Sequence, residues 1–333
     1  MPPPYSISYL HRRLLTSMER RSDDMASTSN VLHSVAILLS LLIILSSSAS
    51  ATLGHNLVST IPHDGSAFTQ GLEMQDGRMF ESTGLHGHSQ VREISLEDGS
   101  LIRSHDLNDS FFGEGLTLID DRILVLTWKA GLILEFERDT FNQSTQYNLE
   151  GEGWGVCSFG DRIIVSDGTN QLSTLDPLTL EPTGSIQVRS NNSDIWNLNE
   201  LECVEDKIYA NQWMSPFIHV ISANDGELIA TLDLSDLPSG TSGDRNEVLN
   251  GIAWDEERQG FWVTGKNWTT MHLIEIYETG QNEDLQDTGD TLLDSIASEK
   301  NLLLILLAIL ATFAVAVSLN QPPPSLSAYN EDE

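Results

Sequence analysis

Basic residues are scarce in this chain. Lys and Arg number 17 against 49 Asp and Glu, a formal net charge of −32 over 333 residues. Too few cations are present to neutralise a row of phosphates, which argues against a nucleic-acid partner. Cysteine is scarcer still, with Cys157 and Cys203 alone, and neither has a His at metal-site or thiol-nucleophile spacing. Ready-made reactive signatures are missing too. There is no Gly-x-Ser-x-Gly elbow, no phosphate loop and no His-x-x-x-His pair. His63 beside Asp64 offers two ligands without a third, so hydrogen bonding of His63 to backbone or to Asp64 is the plainer expectation.

Long apolar runs occur at the two ends. Arg12, Arg13, Arg20 and Arg21 precede the run Val35 to Leu45, and Ser46 to Ala51 follow it. That order reads as a secretory signal over residues 1–51 ending at small residues. An uncleaved anchor is the alternative, and Met18 and Met25 are alternative starts. Leu302 to Leu319 carries no charge and is long enough to cross a thin bilayer. We therefore expect a transmembrane helix over 301–319, an acidic linker over 280–300 and a disordered Pro-rich tail over 320–333. A cleaved leader leaves the remaining domain, 52–279, outside the cell and tethered to its membrane. There the two cysteines meet an oxidising compartment. A bridge between them and two buried free thiols both stand as readings, because they fall one position out of step between neighbouring repeats.

What fills the middle is a repeat. Gln70-Gly71-Leu72 returns as Glu114-Gly115-Leu116, Glu152-Gly153-Trp154, Asn199-Glu200-Leu201 and Asn250-Gly251-Ile252, at spacings of 44, 38, 47 and 51 residues. Periods in the forties suit four-stranded propeller blades. About ten residues after each cue comes an apolar run ending in a small polar residue, such as Ile123-Leu124-Val125-Leu126-Thr127. A third short run follows, such as Leu132 to Phe136, and turn residues such as Asn224-Asp225-Gly226 lead to a fourth. The last copy lacks a fourth strand after Tyr277, and Asn56 to Ile61 can supply it from the other end of the domain. The expected fold is all-β, a five-bladed β-propeller closed by an N-terminal strand, with a C-terminal transmembrane helix.

Residues at one repeat position converge in such a ring. The column Gln70, Glu114, Glu152, Asn199 and Asn250 is polar where burial is expected, and each buried member must be hydrogen-bonded. Tying blade to blade is its plainer role. Around it stand Phe68 and Phe112, two residues before Gln70 and Glu114, with Trp154 two after Glu152. Trp128 and Trp213 end second strands. Together they describe an apolar wall around a carboxylate, which raises its pKa and offers π faces to a cation. Lys266 adds a positive donor. These residues support either a single-carboxylate acid/base or a pocket for an amine.

At the same residues the sequence closely resembles the glutaminyl-peptide cyclotransferase family of plants and bacteria, five-bladed propellers. The motifs are His63-Asp64-Gly65-Ser66-Ala67-Phe68-Thr69-Gln70-Gly71-Leu72, Phe111-Phe112-Gly113-Glu114-Gly115-Leu116-Thr117, Gly153-Trp154-Gly155 and Leu198-Asn199-Glu200-Leu201-Glu202. Tyr209-Ala210-Asn211-Gln212-Trp213, Val248-Leu249-Asn250-Gly251-Ile252 and Val263-Thr264-Gly265-Lys266-Asn267-Trp268 extend the match over residues 56 to 277. The resemblance implies conversion of N-terminal glutaminyl residues of peptides or proteins to pyroglutamate, with ammonia released. It implies Glu114 as the catalytic carboxylate and Phe68, Gln70, Phe112, Trp128, Trp154, Asn199, Trp213 and Lys266 as the substrate pocket. It implies no cofactor for catalysis and allows a structural metal ion whose ligands it does not place. Two other classes stand against this expectation: a non-enzymatic propeller that displays an interaction surface, and a calcium-dependent hydrolase or lactonase.

Overall fold

The structure, a computed structural model, describes residues 51–191, 193–238 and 245–279. The expected leader up to residue 50, the linker, the membrane helix and the tail lie outside the described residues. Among the described residues no helix is long and apolar enough to cross a membrane.

The regular elements are strands. After β1 (Ala51–Pro62) come β2 (Thr69–Gln75), β3 (Arg78–Thr83), β4 (Gln90–Ile94) and β5 (Leu101–Asp106), a four-stranded antiparallel sheet in that order. A second such sheet is β6 (Gly113–Ile119), β7 (Arg122–Thr127), β8 (Leu132–Glu137) and β9 (Gln143–Asn148). A third is β10 (Val156–Ser158), β11 (Ile163–Val165), β12 (Gln171–Leu175) and β13 (Pro182–Gln187), followed by a small ribbon of β14 (Arg189–Ser190) and β15 (Ser193–Asp194). The rest forms one eight-stranded sheet. In it β16 (Leu198–Val204), β17 (Lys207–Gln212), β18 (Phe217–Ser222) and β19 (Leu228–Asp233) continue through β1 into β22 (Thr270–Glu278), β21 (Gly260–Gly265) and β20 (Leu249–Asp255).

β1 makes that junction. It runs antiparallel to β22 from Leu53 opposite Glu278 to Pro62 opposite Thr270, so the closing strand expected at 56–61 pairs as expected and extends further. Its first residues, Ala51 to Leu53, also pair in parallel with Ala230 to Leu232 of β19.

Alternation along the strands decides where the core goes. Successive side chains of a strand face opposite sides. On β7, Ile123 and Val125 join Phe80, Leu116 and Phe136 on one side, while Leu124 and Leu126 join Val156, Ile163 and Val165 on the other. Phe261 and Val263 of β21 likewise pack with Ile218 and Leu232, and Trp262 between them packs with Leu72 and Met79. The apolar core is thus a set of slabs between sheets rather than one central mass. The first strands adjoin one another: β2 lies beside β6 and β20, β10 beside β6 and β16, and β16 beside β20. β6 is buried along its whole length, whereas β5, β9 and β13 are largely exposed outer edges.

Cys157 of β10 and Cys203 of β16 form a disulfide with Cα atoms 5.4 Å apart. The one-position mismatch in the sequence is absorbed by the backbone. β16 shifts register between Leu198 and Leu201 while β10 pairs without a shift, which brings the two side chains into step.

Candidate active site

The repeated cue is a β-bulge. Register shifts fall between Thr69 and Gly71, Gly113 and Leu116, Leu198 and Leu201, and Leu249 and Ile252. An extra residue at that point bends the strand and releases one side chain from the normal alternation. Gln70, Glu114, Asn199 and Asn250 hold these places, and all four are buried. The small residue after the polar one has a packing reason. A Cβ at Gly71 would stand 2.3 Å from the backbone nitrogen of Leu116, so neighbouring first strands approach only because it is absent.

Strand ends bring the aromatic residues to the same end of these bulges. Phe68 and Phe112 immediately precede β2 and β6, Trp128 and Trp213 immediately follow β7 and β17, and Lys266 follows β21. With Gln70, Glu114, Trp154 and Asn199 they line one cavity of about 240 Å³, joined there by Asn246. Every residue expected in the pocket therefore lines the same cavity. Phe68 meets Phe112 edge-on at 6.2 Å between ring centroids, Phe112 meets Trp128 at 5.6 Å, and Trp154 meets Trp213 at 5.7 Å. Gly168, at φ +80°, lets the Trp154 ring lie against its backbone, since a Cβ there would sit 2.6 Å from the indole.

Inside this wall the polar groups form a short relay. The Asn199 side-chain amide donates to Asn250 Oδ1 at 2.8 Å, and Asn250 donates to the Thr69 carbonyl at 3.0 Å and to Gln70 Oε1 at 3.3 Å. Asn250 itself does not line the cavity. Its repeat position marked it, but its work is to orient the two amides that do. Glu152 departs from the column: β10 starts only at Val156, so Glu152 sits partly exposed at the rim. Its Oε2 accepts the indole N–H of Trp128 at 2.9 Å and of Trp154 at 3.1 Å, and Lys129 lies 3.5 Å from its Oε1. Asn246 falls outside the repeated pattern, and no spacing could have found it.

Burial pushes the Glu114 carboxyl well above the ordinary carboxylate range; Lys266 pulls against this and Glu152 adds to it. The Lys266 ammonium is pushed down to about 8 by burial, opposed by the charge of Glu114. Its Nζ stands 5.0 Å from the Phe68 ring centre. Glu152 is held below its usual value because the Trp154 and Trp128 hydrogen bonds outweigh its partial burial. The site thus combines a carboxyl raised by burial and an amine lowered by burial with a fixed anion at the rim.

His63 bonds Glu81 at 2.9 Å and the Trp268 carbonyl at 2.8 Å, not Asp64, because Asp64 turns to Ser66 and Arg92. Among the described residues no group of three or more His, Cys, Asp or Glu converges closely enough to hold a metal ion.

Among the described residues, then, an all-β fold holds a buried carboxyl and a buried amine behind an aromatic wall. A sequence profile described as glutamine cyclotransferase matches residues 32–276, and the chain belongs to that family. It is 37% identical over 242 residues to a glutaminyl-peptide cyclotransferase of Arabidopsis thaliana, an alignment covering 69% of this chain and 75% of the relative. The crystal structure of Myxococcus xanthus glutaminyl cyclase superposes with a TM-score of 0.64 and 28% identity, covering 69% of this chain and 99% of that one.

Proposed function

We propose that this protein is a glutaminyl-peptide cyclotransferase, converting N-terminal glutaminyl residues of peptides and proteins to pyroglutamate with release of ammonia. The observation that carries the proposal is a buried Glu114 beside Lys266 in a cavity walled by Phe68, Phe112, Trp128, Trp154 and Trp213.

The substrate's α-amine attacks the carbonyl carbon of its own side-chain amide. A C–N bond forms, the old C–N bond breaks, and ammonia leaves. Little covalent help is needed, so the pocket's main task is to hold the side chain curled toward the amine. Glu114 takes the proton from the attacking nitrogen and returns it to the departing one, ending as it began. A carboxyl raised by burial suits both halves of that exchange. Lys266 donates to the oxygen that gains charge, and the Asn199 amide, which spends only one of its two N–H groups on Asn250, can add a second bond. No step runs through a metal.

The finer architecture belongs to the same proposal. Four-stranded units in succession, the closing strand β1 and the cycle of first strands support a five-bladed β-propeller. The Cys157–Cys203 bridge supports an exported domain. With the expected apolar segment at 301–319, that gives an enzyme held at the outer face of the cell membrane.

The test incubates the purified protein with Gln-initiated and Asn-initiated peptides of the same length. Ammonia and a pyroglutamyl product from the Gln peptide alone are expected. Absence of both from every Gln peptide would refute the activity.

A further inference from the structure

Behind the pocket, and outside its lining, lies a quartet of charges, of which His63, Glu81 and Arg92 are buried and Asp64 is open to solvent. Glu81 on β3 is fully buried, and its Oε1 accepts from His63 Nε2 at 2.9 Å and from the Thr69 hydroxyl at 2.7 Å. Arg92 reaches its other oxygen at 3.4 Å and Asp64 at 2.8 Å. The second nitrogen of His63 faces the Trp268 carbonyl at 2.8 Å. A carboxylate and a carbonyl can only accept, so both ring nitrogens donate and His63 is an imidazolium. Two anions, Glu81 and Asp64, then balance two cations, His63 and Arg92.

The quartet joins two neighbouring segments that each bring a side chain to the pocket, with Lys266 Nζ 5.0 Å from the Phe68 ring centre. One is residues 63–70, which ends in Phe68 and Gln70. The other is the turn after β21, which presents Lys266 and passes through Asn267 at φ +59°. Three backbone or amide bonds lace them together, His63 N–H to the Thr269 carbonyl, Asn267 N–H to that of Ala67 and Asn267 Nδ2 to that of Gly65, and a fourth runs from Lys266 N–H to the Val248 carbonyl. Only the last reaches outside the pair. Glu81 grips both through His63, and the first again through Thr69.

We propose that Glu81 is a positioning residue for the cyclisation, holding Lys266 against Phe68 and beside Glu114 by way of His63. Ring closure alone could be served by an apolar core of similar volume, since a buried ion network gains little stability over one. What such a network adds here is a fixed separation between two loops that each bring a pocket group. The role of Lys266 rests on the cyclotransferase reading; its placement by Glu81 does not.

Two measurements keep these apart. Turnover of a Gln peptide is compared for wild type, Glu81→Gln and His63→Gln, which retain shape but remove the charge pair. In parallel, NMR of protein labelled at lysine Cε follows the titration of Lys266 without any turnover, with Lys266→Arg used to assign the signal. If Glu81 positions the ammonium, Glu81→Gln lowers kcat by about 10-fold or more with a smaller change in KM. Lys266 then also titrates at lower pH, because it has moved from the Glu114 charge that supports its protonation. His63→Gln does the same to a lesser degree and stands in should Glu81→Gln fail to fold. An unaltered Lys266 titration in the folded variant overturns the proposal, whatever the wild-type protein catalyses. An inactive wild type with a shifted Lys266 would instead refute only the activity.

Discussion

Glu152 Oε2 accepts the Trp128 indole N–H at 2.9 Å, and the same oxygen holds the Trp154 indole. One half-exposed carboxylate therefore sets the tilt of two walls of the cavity while adding a negative charge that helps keep the Glu114 carboxyl high. Two substitutions separate these roles. Glu152→Ala removes both, and KM for a Gln peptide is expected to rise about 10-fold or more, the usual cost of losing hydrogen bonds to a charged acceptor. Glu152→Gln keeps an acceptor for an indole and should recover most of that loss. It should also move the acid limb of the pH–rate profile to lower pH, since one source of the raised Glu114 pKa is gone. Equal KM values in the two variants would refute the positioning role.

Glu114→Gln removes the proton carrier and leaves the shape. A drop in kcat of about 100-fold or more is expected, at the scale of lost general acid–base catalysis. The fold should not suffer, because a buried carboxyl is exchanged for a neutral group that carries no penalty for ionising. Steady-state kinetics beside a melting curve checks both statements. A variant that keeps near-wild-type kcat would take Glu114 out of the chemistry.

Lys266 sets the other limb. Activity rises from acid as Glu114 and the substrate's α-amine, which titrates near about 8, lose their protons. It falls again as Lys266, pushed down to about 8, loses the charge that meets the developing oxyanion. The expected profile is a bell with a narrow top. Lys266→Met should lower kcat/KM throughout and abolish the alkaline descent. An alkaline limb that persists in that variant would assign it to another group.

How much of this was legible beforehand follows from what a repeat can and cannot encode. The strands β7 and β8 could be read directly, since Ile123 to Thr127 and Leu132 to Phe136 carry their burial in their composition. The pocket aromatics were also legible, because Phe68, Phe112, Trp128 and Trp213 sit at fixed offsets from a recurring cue. The bulges were not, since a register shift at Glu114 or Asn199 changes no residue type. The step that brings Cys157 and Cys203 together was hidden for the same reason. Asn246 reaches the cavity from a turn outside the repeat, and His63 meets Glu81 of β3 from the loop before β2, and no local pattern marks either.

The Cys157–Cys203 bridge closes a sequence separation of 46 residues between two neighbouring first strands. By the loop-closure relation such a link is worth about 4 kcal/mol, nearly all through the unfolded chain. Reduction, or Cys157→Ala with Cys203→Ala, should therefore lower Tm by roughly 5–15 °C for a domain of this size. Activity at low temperature should persist, since neither cysteine lines the cavity. Calorimetry with and without reductant decides the first point, and an unchanged Tm would count against a stabilising bridge.

Away from the pocket the first strands carry three further carboxyls, the buried Glu200 and Glu202 and the partly exposed Glu73. Glu200 accepts the Leu72 N–H at 3.2 Å and the Ile252 N–H at 2.9 Å, one on each oxygen, and Glu73 accepts the Leu118 N–H at 3.1 Å. Burial raises all three, Glu73 to about 8, and the charges of Glu73 and Glu200 add to the effect on Glu202. A carboxyl raised in the folded state binds its proton more tightly there than in the unfolded chain, where the value is about 4.3. Its contribution to stability is complete below that unfolded value and is lost as pH climbs through the folded one. Asp64 and Glu81 are held low and contribute in the opposite sense, but their titration lies on the acid side, so they stay constant above about pH 5. The melting temperature should accordingly fall between about pH 6 and pH 9. Glu73→Gln cannot ionise and should fall less, each kcal/mol of difference appearing as roughly 2–4 °C. Parallel melting curves for wild type and Glu73→Gln across that range would mean that Glu73 keeps an ordinary pKa in the folded protein.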